Sequence, residues 1–355
     1  MTAGGGAGRP EYAVVIPTLG RPSLGACLRA LAAAGGPPPA RVVLVDDLPL
    51  TRGPLPVDVP PGLVGLTTVV AGGGRGPAAA RNAGWRAAPA VPWIVFLDDD
   101  VVPGPGWGER LARDLAAASR RTAAVTARIT VPLPAHRRPT DWERNTAGLE
   151  TARWITADMA YRRTALEAVG GFDERFRRAF REDADLALRV LAAGWTVAAG
   201  ERRTTHPVRP ADRWVSVRAQ RGNADDVLMT RLHGPDWWER AAAPRGRLPR
   251  HLAVTAAGLG ALSCAALGGR GPALACAAGW LAGTAEFAAA RIAPGPRDRD
   301  EVVSMVLTSA LIPPLAAWHW LRGRFVHRRT EPWTPPAGAA PPPAPHHRAK
   351  DRVLP

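Results

Sequence analysis

Lysine is all but missing from this chain of 355 residues: Lys350 is the only one, and every other basic position except histidine is arginine. The net charge of +15 comes with an abundance of Ala, Gly, Pro and Arg, which points to a compositional bias as much as to a basic surface. No nucleic-acid recognition module of the known kinds is present, nor a basic stripe interleaved with aromatics, so the charge does not argue for a nucleic-acid partner. Cysteine is scarce too. Cys27, Cys264 and Cys276 are odd in number, lack metal-ligand spacing and fit a reducing compartment. Residues 1–10 are glycine-rich with no apolar signal-peptide core, so a flexible N-terminus and a cytoplasmic catalytic part are expected.

What is present centres on residues 93–103, WIVFLDDDVVP. An apolar run of this length, bounded by turn signals, reads as a buried strand in a parallel sheet. Three carboxylates at its carboxyl end sit where open α/β sheets place their ligands. On an extended backbone Asp98 and Asp100 share one face and Asp99 points to the other. Two carboxylates on one face repel unless a cation lies between them, and a hard divalent ion, Mg²⁺ or Mn²⁺, is suited to that place. The plainer reading is a polar loop with one Asp capping a helix near Trp107. Spacing alone leaves both open.

Strands are also expected at 12–18, 41–47 and 66–70, the second delivering Asp46 and Asp47 at its end. The third runs into a glycine-rich turn and a helix over 72–84. Strands alternating with helices at this spacing imply a mostly parallel, doubly wound sheet whose loops meet at one edge. The glycine turn fits a dinucleotide fingerprint only loosely, since Pro77 interrupts it; a phosphate at the helix N-terminus near Arg75 or Arg81 is one reading, and a tight turn with arginines on the helix surface is the other. A helix over 107–115, a strand over 123–131, a loop over 132–145 and a strand over 154–162 follow, then a helix over 164–169. The helix over 180–191 opens with Glu182 and Asp183, where the helix dipole favours ionised acids. Capping accounts for one such acid but less well for a pair preceded by an aromatic. His206 opens a basic, Trp-bearing segment reaching about Arg250 that reads as a lid. That histidine is either an ordinary satisfied side chain or a functional group near the metal.

The last third is apolar in blocks. Residues 252–269, 271–285 and 302–321 carry no charge, the last broken by Pro313 and Pro314, and arginines flank the set on both sides. This suits a membrane hairpin over about 252–290 with 302–321 interfacial or re-entrant, the alternative being a soluble alanine-rich layer. Residues 236–329 thus read as membrane-associated helices, and 330–355 as a disordered Pro/Ala tail.

With these pieces assembled, residues 11–235 resemble the bacterial, membrane-associated family-2 inverting glycosyltransferases of GT-A fold, an α/β, Rossmann-like sheet with helices on both faces. The resemblance rests on Val15-Ile-Pro-Thr18, Val45-Asp-Asp47, Ala79-Ala-Arg-Asn-Ala-Gly84, Phe96-Leu-Asp-Asp-Asp100, Gly170-Gly-Phe-Asp173 and Glu182-Asp-Ala-Asp-Leu186, six motifs in the family's order. Two departures are Leu19-Gly20, where many members have Tyr/Phe-Asn, and Leu48-Pro49 in place of Gly-Ser.

The resemblance implies transfer of a sugar from a nucleoside-diphosphate sugar, UDP favoured, to a hydroxyl of a lipid-linked or envelope glycan. It places Pro17, Thr18, Asp46, Asp47, Arg81, Asp98 and Asp99 on the nucleotide-sugar, with Asp46 or Asp47 on the nucleoside and Arg81 offsetting diphosphate charge. Asp98, Asp100 and His206 would hold Mn²⁺ or Mg²⁺. Asp183 would be the general base, with Glu182 and Asp158 on the acceptor side. The catalytic domain would be attached to the inner face of the cell membrane. Two other readings are a nucleotidyltransferase on a related sheet, although the loop after the first strand reads Pro17-Thr-Leu-Gly-Arg21 rather than Gly-x-Gly-x-Arg, and a catalytically silent membrane-attached glycan- or nucleic-acid-binding protein.

Overall fold

The computed structural model describes residues 10–49 and 55–341. Most of the expected flexible N-terminus, and the expected tail beyond 341, lie outside the described residues. In chain order the elements are β1 (Tyr12–Thr18), α1 (Ser23–Ala32), β2 (Arg41–Asp46), α2 (Pro61–Val64), β3 (Thr67–Ala71), α3 (Pro77–Ala87), β4 (Trp93–Leu97), β5 (Val102–Pro103), α4 (Trp107–Ala117) and β6 (Thr122–Thr130). They continue with α5 (Asp141–Ala147), β7 (Asp158–Arg162), α6 (Arg163–Val169), α7 (Glu182–Ala192), β8 (Thr196–Thr205), α8 (Val215–Ala219), α9 (Gly222–His233) and α10 (Trp237–Arg240), and end with α11 (Leu248–Ala266), α12 (Arg270–Ile292) and α13 (Arg299–Val326). The described residues fall into two compact units, one drawn from Met1–Pro132, Leu149–Pro207 and Trp333–Pro355, the other Leu133–Gly148 with Val208–Pro332.

The first unit carries an eight-stranded sheet in the order β3-β2-β1-β4-β7-β6-β8-β5. Strands β3, β2, β1 and β4 are parallel, as their apolar runs imply. Beyond β4 the sheet turns mixed, because β7 runs antiparallel to both β4 and β6 while β6 and β8 pair in parallel. Helix α3 lies against the parallel half because residue 84 is glycine. A Cβ there would stand 2.3 Å from Val15 Cγ1 and 2.8 Å from Val45 Cγ2. That close seating brings Arg81, one turn earlier, to the carboxyl edge of β4.

The described part of the tail is ordered against this unit, where disorder was expected from residue 330. Trp195 Nε1 donates to the Ala339 carbonyl at 2.8 Å, and the Arg189 guanidinium lies 6.0 Å from the Trp333 ring centre. Composition conceals these anchors, since one tryptophan is enough to seat an otherwise Pro/Ala-rich segment.

The second unit also differs from the expected boundaries. Residues 208–235, expected with the catalytic domain, form α8 and α9 and belong here. Gly323 of α13 lies so close to α9 that a Cβ would stand 2.8 Å from Ala224 Cα. Residues 132–145, expected as loop, contain α5, started by a capping box between Thr140 and Glu143. Arg291, buried near the end of α12, donates to Thr308 of α13 at 2.7 Å, to Asp141 of α5 at 2.8 Å and to Ser216 of α8 at 2.9 Å. One guanidinium fork thus ties four helices, none of them neighbours in sequence apart from α12 and α13.

Helices α11 and α12 form an antiparallel hairpin in which small residues allow close approach, Gly260 facing Cys276 and Gly283 facing Val254. Their only buried side chains are His251, Ala288 and Arg291, all at the hairpin base. Towards the tip Leu259, Leu262, Leu267, Leu274 and Leu281 are exposed. Helix α13 is continuous through Pro313 and Pro314, where a break was expected. Two prolines remove two N–H donors but not the helical φ, and burial of Ile312, Pro313, Ala316 and Ala317 along one face compensates. Among the described residues, two helices are long and apolar enough to cross a membrane, α12 and α13.

Candidate functional site

The site forms at the carboxyl ends of β1, β2 and β4. Strand β4 stops at Leu97, and residues 98–100 make a turn, not the continued strand on which the shared-face expectation was based. Asp98 and Asp100 still converge, and His206, which follows β8, joins them. One ligand atom from each of Asp98, Asp100 and His206 lies within 4.8 Å of the other two. Imidazole Nε2 is 3.8 Å from an Asp100 oxygen. Nδ1 is 3.2 Å from the Pro207 carbonyl. A proton on Nδ1 is satisfied by that carbonyl, which leaves the Nε2 lone pair directed at the carboxylates, the tautomer that ligates metal. Two carboxylates and one imidazole make an oxygen-rich set with one borderline nitrogen, and the set fits a divalent cation such as Mn²⁺ or Mg²⁺.

Asp99 turns the other way, through the turn rather than through strand alternation. It accepts from Thr18 Oγ1 at 2.7 Å and from Arg21 Nη1 at 3.1 Å. Thr18 in turn accepts from the Gly20 amide. Both Thr18 and Asp99 are buried, so these two positions brace the loop after β1 rather than face a ligand. Pro17, half-buried, sits beside Val45 in the β1–β2 ladder.

Behind the acidic turn lies a buried charge cluster. Arg81 donates to Asp98 at 2.7 Å and to Glu182, the first residue of α7, at 2.9 Å. It is 2% exposed, its Nε has no partner and its two terminal nitrogens are engaged by Asp98 and Glu182, so it does not present itself to a donor as the sequence led one to expect. Glu182 is equally buried and holds Arg81 through one oxygen, the second having no partner, so it is not exposed to an acceptor as the sequence led one to expect. Burial and the adjacent Asp183 charge raise the Glu182 pKa against the pull of Arg81. Asp183 is half-buried and accepts from the Ala184 amide at 2.7 Å. Burial raises its pKa and the Asp98 charge adds to the rise, while Arg81 and Arg181 oppose it. The residue before this acidic pair, Arg181, holds φ 75° without being glycine, a conformation that persists only where its surroundings enforce it.

The Gly72–Gly76 turn is closed by Asp47, whose oxygens accept from the Arg75 amide at 3.0 Å and the Gly76 amide at 2.9 Å. Asp46 is half-buried and has one oxygen on the Leu48 amide at 3.0 Å. Asp158, expected on the acceptor side, is instead sealed inside the sheet. It accepts from Trp107 Nε1 at 2.7 Å, Arg202 Nε at 2.8 Å and Thr204 Oγ1 at 2.5 Å, and with its oxygens so engaged it braces β8 against β7.

Sequence reasoning missed three supports of the site: Arg21, Arg202 and Asn82. Asn82 Nδ2 donates to the Phe172 carbonyl at 2.8 Å, and its Oδ1 accepts from the Phe172 amide at 2.9 Å. This reciprocal pair clamps the Gly170–Gly171–Phe172 turn to α3. Gly171 cannot be larger, since a Cβ would stand 2.5 Å from Asn82 Oδ1. The signal was present in the motifs containing Asn82 and Gly171, but nothing in their spacing said that they touch.

Comparison with known proteins agrees with the motifs. Residues 13–170 match the family model described as glycosyl transferase family 2. The pre-mycofactocin glycosyltransferase of Mycobacterium tuberculosis is 32% identical over 133 residues, covering 34% of this chain and 27% of that protein, so the match spans about a quarter of the relative's length. Among solved structures, TarS of S. aureus aligns with TM-score 0.38 and 15% identity over 64% of this chain and 41% of its own. GalNAc-T7, solved with UDP, GalNAc and Mn²⁺, aligns with TM-score 0.41 and 14% identity over 66% and 55%.

Proposed function

From a chain whose residues 13–170 match the glycosyl transferase family 2 model, we propose a metal-dependent, inverting transfer of a sugar from a nucleoside-diphosphate donor, UDP favoured, to a hydroxyl of a lipid-linked or envelope glycan. The observation that carries it is the meeting of Asp98 and Asp100 with His206, more than a hundred residues further along, beside an acid on helix α7, Asp183.

Asp98, Asp100 and His206 would hold the ion, Mn²⁺ or Mg²⁺, which supplies neutralisation of the charge developing on the departing diphosphate. Arg81 positions Asp98 and balances Glu182. Asp46 is the better candidate for the nucleoside, because Asp47 is engaged in closing the glycine turn. Asp183 takes the proton from the acceptor hydroxyl, a role that its raised pKa supports by making it a stronger base than a solvated aspartate. A single base suffices for attack on the anomeric carbon from the face opposite the diphosphate. We assign Thr18, Asp99 and Asp158 positioning roles.

The exposed leucines of the α11–α12 hairpin and the length and apolarity of α12 and α13 support attachment to a membrane through the second unit. Helix α13 is long enough to span, and its partly buried face is the reason for its proposed place at the interface. The inner face of the cell membrane is the proposed side.

A screen of UDP-, GDP- and dTDP-sugars for donor hydrolysis and transfer, with Mn²⁺ and with a chelator, tests the reading. One donor should turn over only with metal, and product of inverted anomeric configuration should appear by NMR. Metal-independent turnover, or retention at the anomeric carbon, contradicts it.

A further inference from the structure

In the second unit a cavity of about 540 Å³ opens at the base of the α11–α12 hairpin. We infer that it binds an anionic lipid, seating the phosphate head between Arg247 and Arg250 and one apolar chain along the hairpin groove. The inference rests on the membrane attachment proposed above.

Charge is the first argument. Arg247 and Arg250 stand at the cavity mouth and share one counterion, Glu286, which Arg247 holds in an ion pair and Arg250 approaches at 3.5 Å. Two guanidinia against one carboxylate leave one positive charge unmatched at the mouth. Arg250 is largely exposed, so re-pairing it costs little, and a guanidinium donates to phosphate oxygens in the bidentate fashion that lysine does not match.

Below the mouth the lining changes character. Glu286 is followed inward by Gly283, Ala282 and Gly279 of α12, facing Val254 and Ala257 of α11. Gly283 presses on Val254, where a Cβ would stand 2.4 Å from Cγ2, whereas a Cβ at Gly279 would meet only Ala257, at 3.8 Å. The floor is therefore closed at one glycine and roomy at the other. A soluble phosphate would satisfy the arginines and leave this apolar groove filled with water; a lipid satisfies both.

Position agrees. The cavity lies where the charged residues of the hairpin end and the uncharged stretch begins, the level at which headgroups meet acyl chains. It is also pre-formed. Phe287 is fixed edge-on to His251 at 4.8 Å, with Arg247 at 5.2 Å and Arg291 at 5.3 Å from its ring centre, so little ordering remains to oppose binding.

The test is native mass spectrometry of the full chain in neutral detergent with dioleoyl phosphatidic acid or dioleoyl phosphatidylcholine as probe. Wild type should retain one phosphatidic acid per chain with at least tenfold preference over the zwitterionic lipid. The exposed pair Arg247→Ala/Arg250→Ala should lose that preference. Gly279→Leu, which fills the groove and keeps both arginines, should lose retention. Retention by Gly279→Leu at the wild-type level overturns the proposal, as does displacement of the lipid by an equal concentration of glycerol phosphate. Flotation on phosphatidylcholine vesicles reads the attachment separately. Flotation without lipid retention overturns the cavity alone, and retention without flotation overturns the membrane attachment alone.

Discussion

Arg81 of α3 and Glu182 of α7 are 101 residues apart in sequence and meet at 2.9 Å, both sealed from solvent, with the other arm of the guanidinium on Asp98. The contact ties the helix carrying the proposed base to the turn carrying two proposed metal ligands. Breaking such a pair from one side leaves an uncompensated buried charge, which costs roughly 3–5 kcal/mol. Arg81→Ala should lower stability by that order in urea unfolding and abolish transfer. Arg81→Met combined with Glu182→Leu should recover most of the stability, since neither charge is then stranded, and still fail to transfer sugar because Asp98 has lost its support. Transfer by the double variant at wild-type rate would remove the positioning role.

Asp98→Asn and Asp100→Asn should each weaken metal-dependent turnover far more than His206→Ala. An imidazole is one neutral ligand, whereas each carboxylate supplies charge that a divalent ion requires. Raising Mn²⁺ should rescue His206→Ala in part and the two Asn variants little. Equal loss in all three, insensitive to Mn²⁺, would contradict the shared site.

Asp183→Asn should reduce kcat by about 10²–10⁴-fold, the usual worth of general-base assistance, and leave the donor KM nearly unchanged. Wild-type rate in this variant contradicts the assignment.

Only the ionised Asp183 can accept a proton. Its pKa is raised by burial and by Asp98, so activity should rise with pH and be lost on acidification through a window above the ordinary aspartate value of about 3.9. Glu182 beside it is raised as well, so the limb belongs to the pair. A pH profile of kcat/KM flat down to about pH 4 would contradict this.

The two acids after β2 should separate. Asp46→Ala should raise the donor KM with little change in thermal stability. Asp47→Ala removes both acceptor oxygens that close the glycine turn and should lower stability by about 1 kcal/mol, the net worth of hydrogen bonds to amides that solvent can reach. The opposite pattern would assign the nucleoside contact to Asp47.

Much of this site could be read from the chain because its parts are local. An apolar run ending in acids gives strand β4 and its turn, but the alternation argued for Asp98 to Asp100 assumed an extended backbone, and it is the turn after Leu97 that sets Asp99 apart. His206 was legible only as a candidate, since nothing in its neighbourhood says that the end of β8 pairs with β5, just past the acidic turn. What stayed hidden was pairwise and distant. Arg81 read as a free cation because Glu182 is a hundred residues away, and Asp158 read as a site acid because Arg202, Trp107 and Thr204 come from other elements. The reversal at β7 was likewise invisible, as an apolar strand carries no mark of its direction. In the second unit, hydrophobic blocks located the helices, but the membership of α5 and α8 depends on Arg291, whose partners have no common spacing.

The most direct test is Mn²⁺ uptake by the full chain, followed by loss of the free-ion EPR signal in the presence of UDP. One ion should be bound per wild-type chain, and uptake should be absent in Asp98→Asn and Asp100→Asn at matched protein concentration. An undiminished free Mn²⁺ signal with wild type, or uptake unchanged in both variants, would contradict a metal centre on this edge of the sheet.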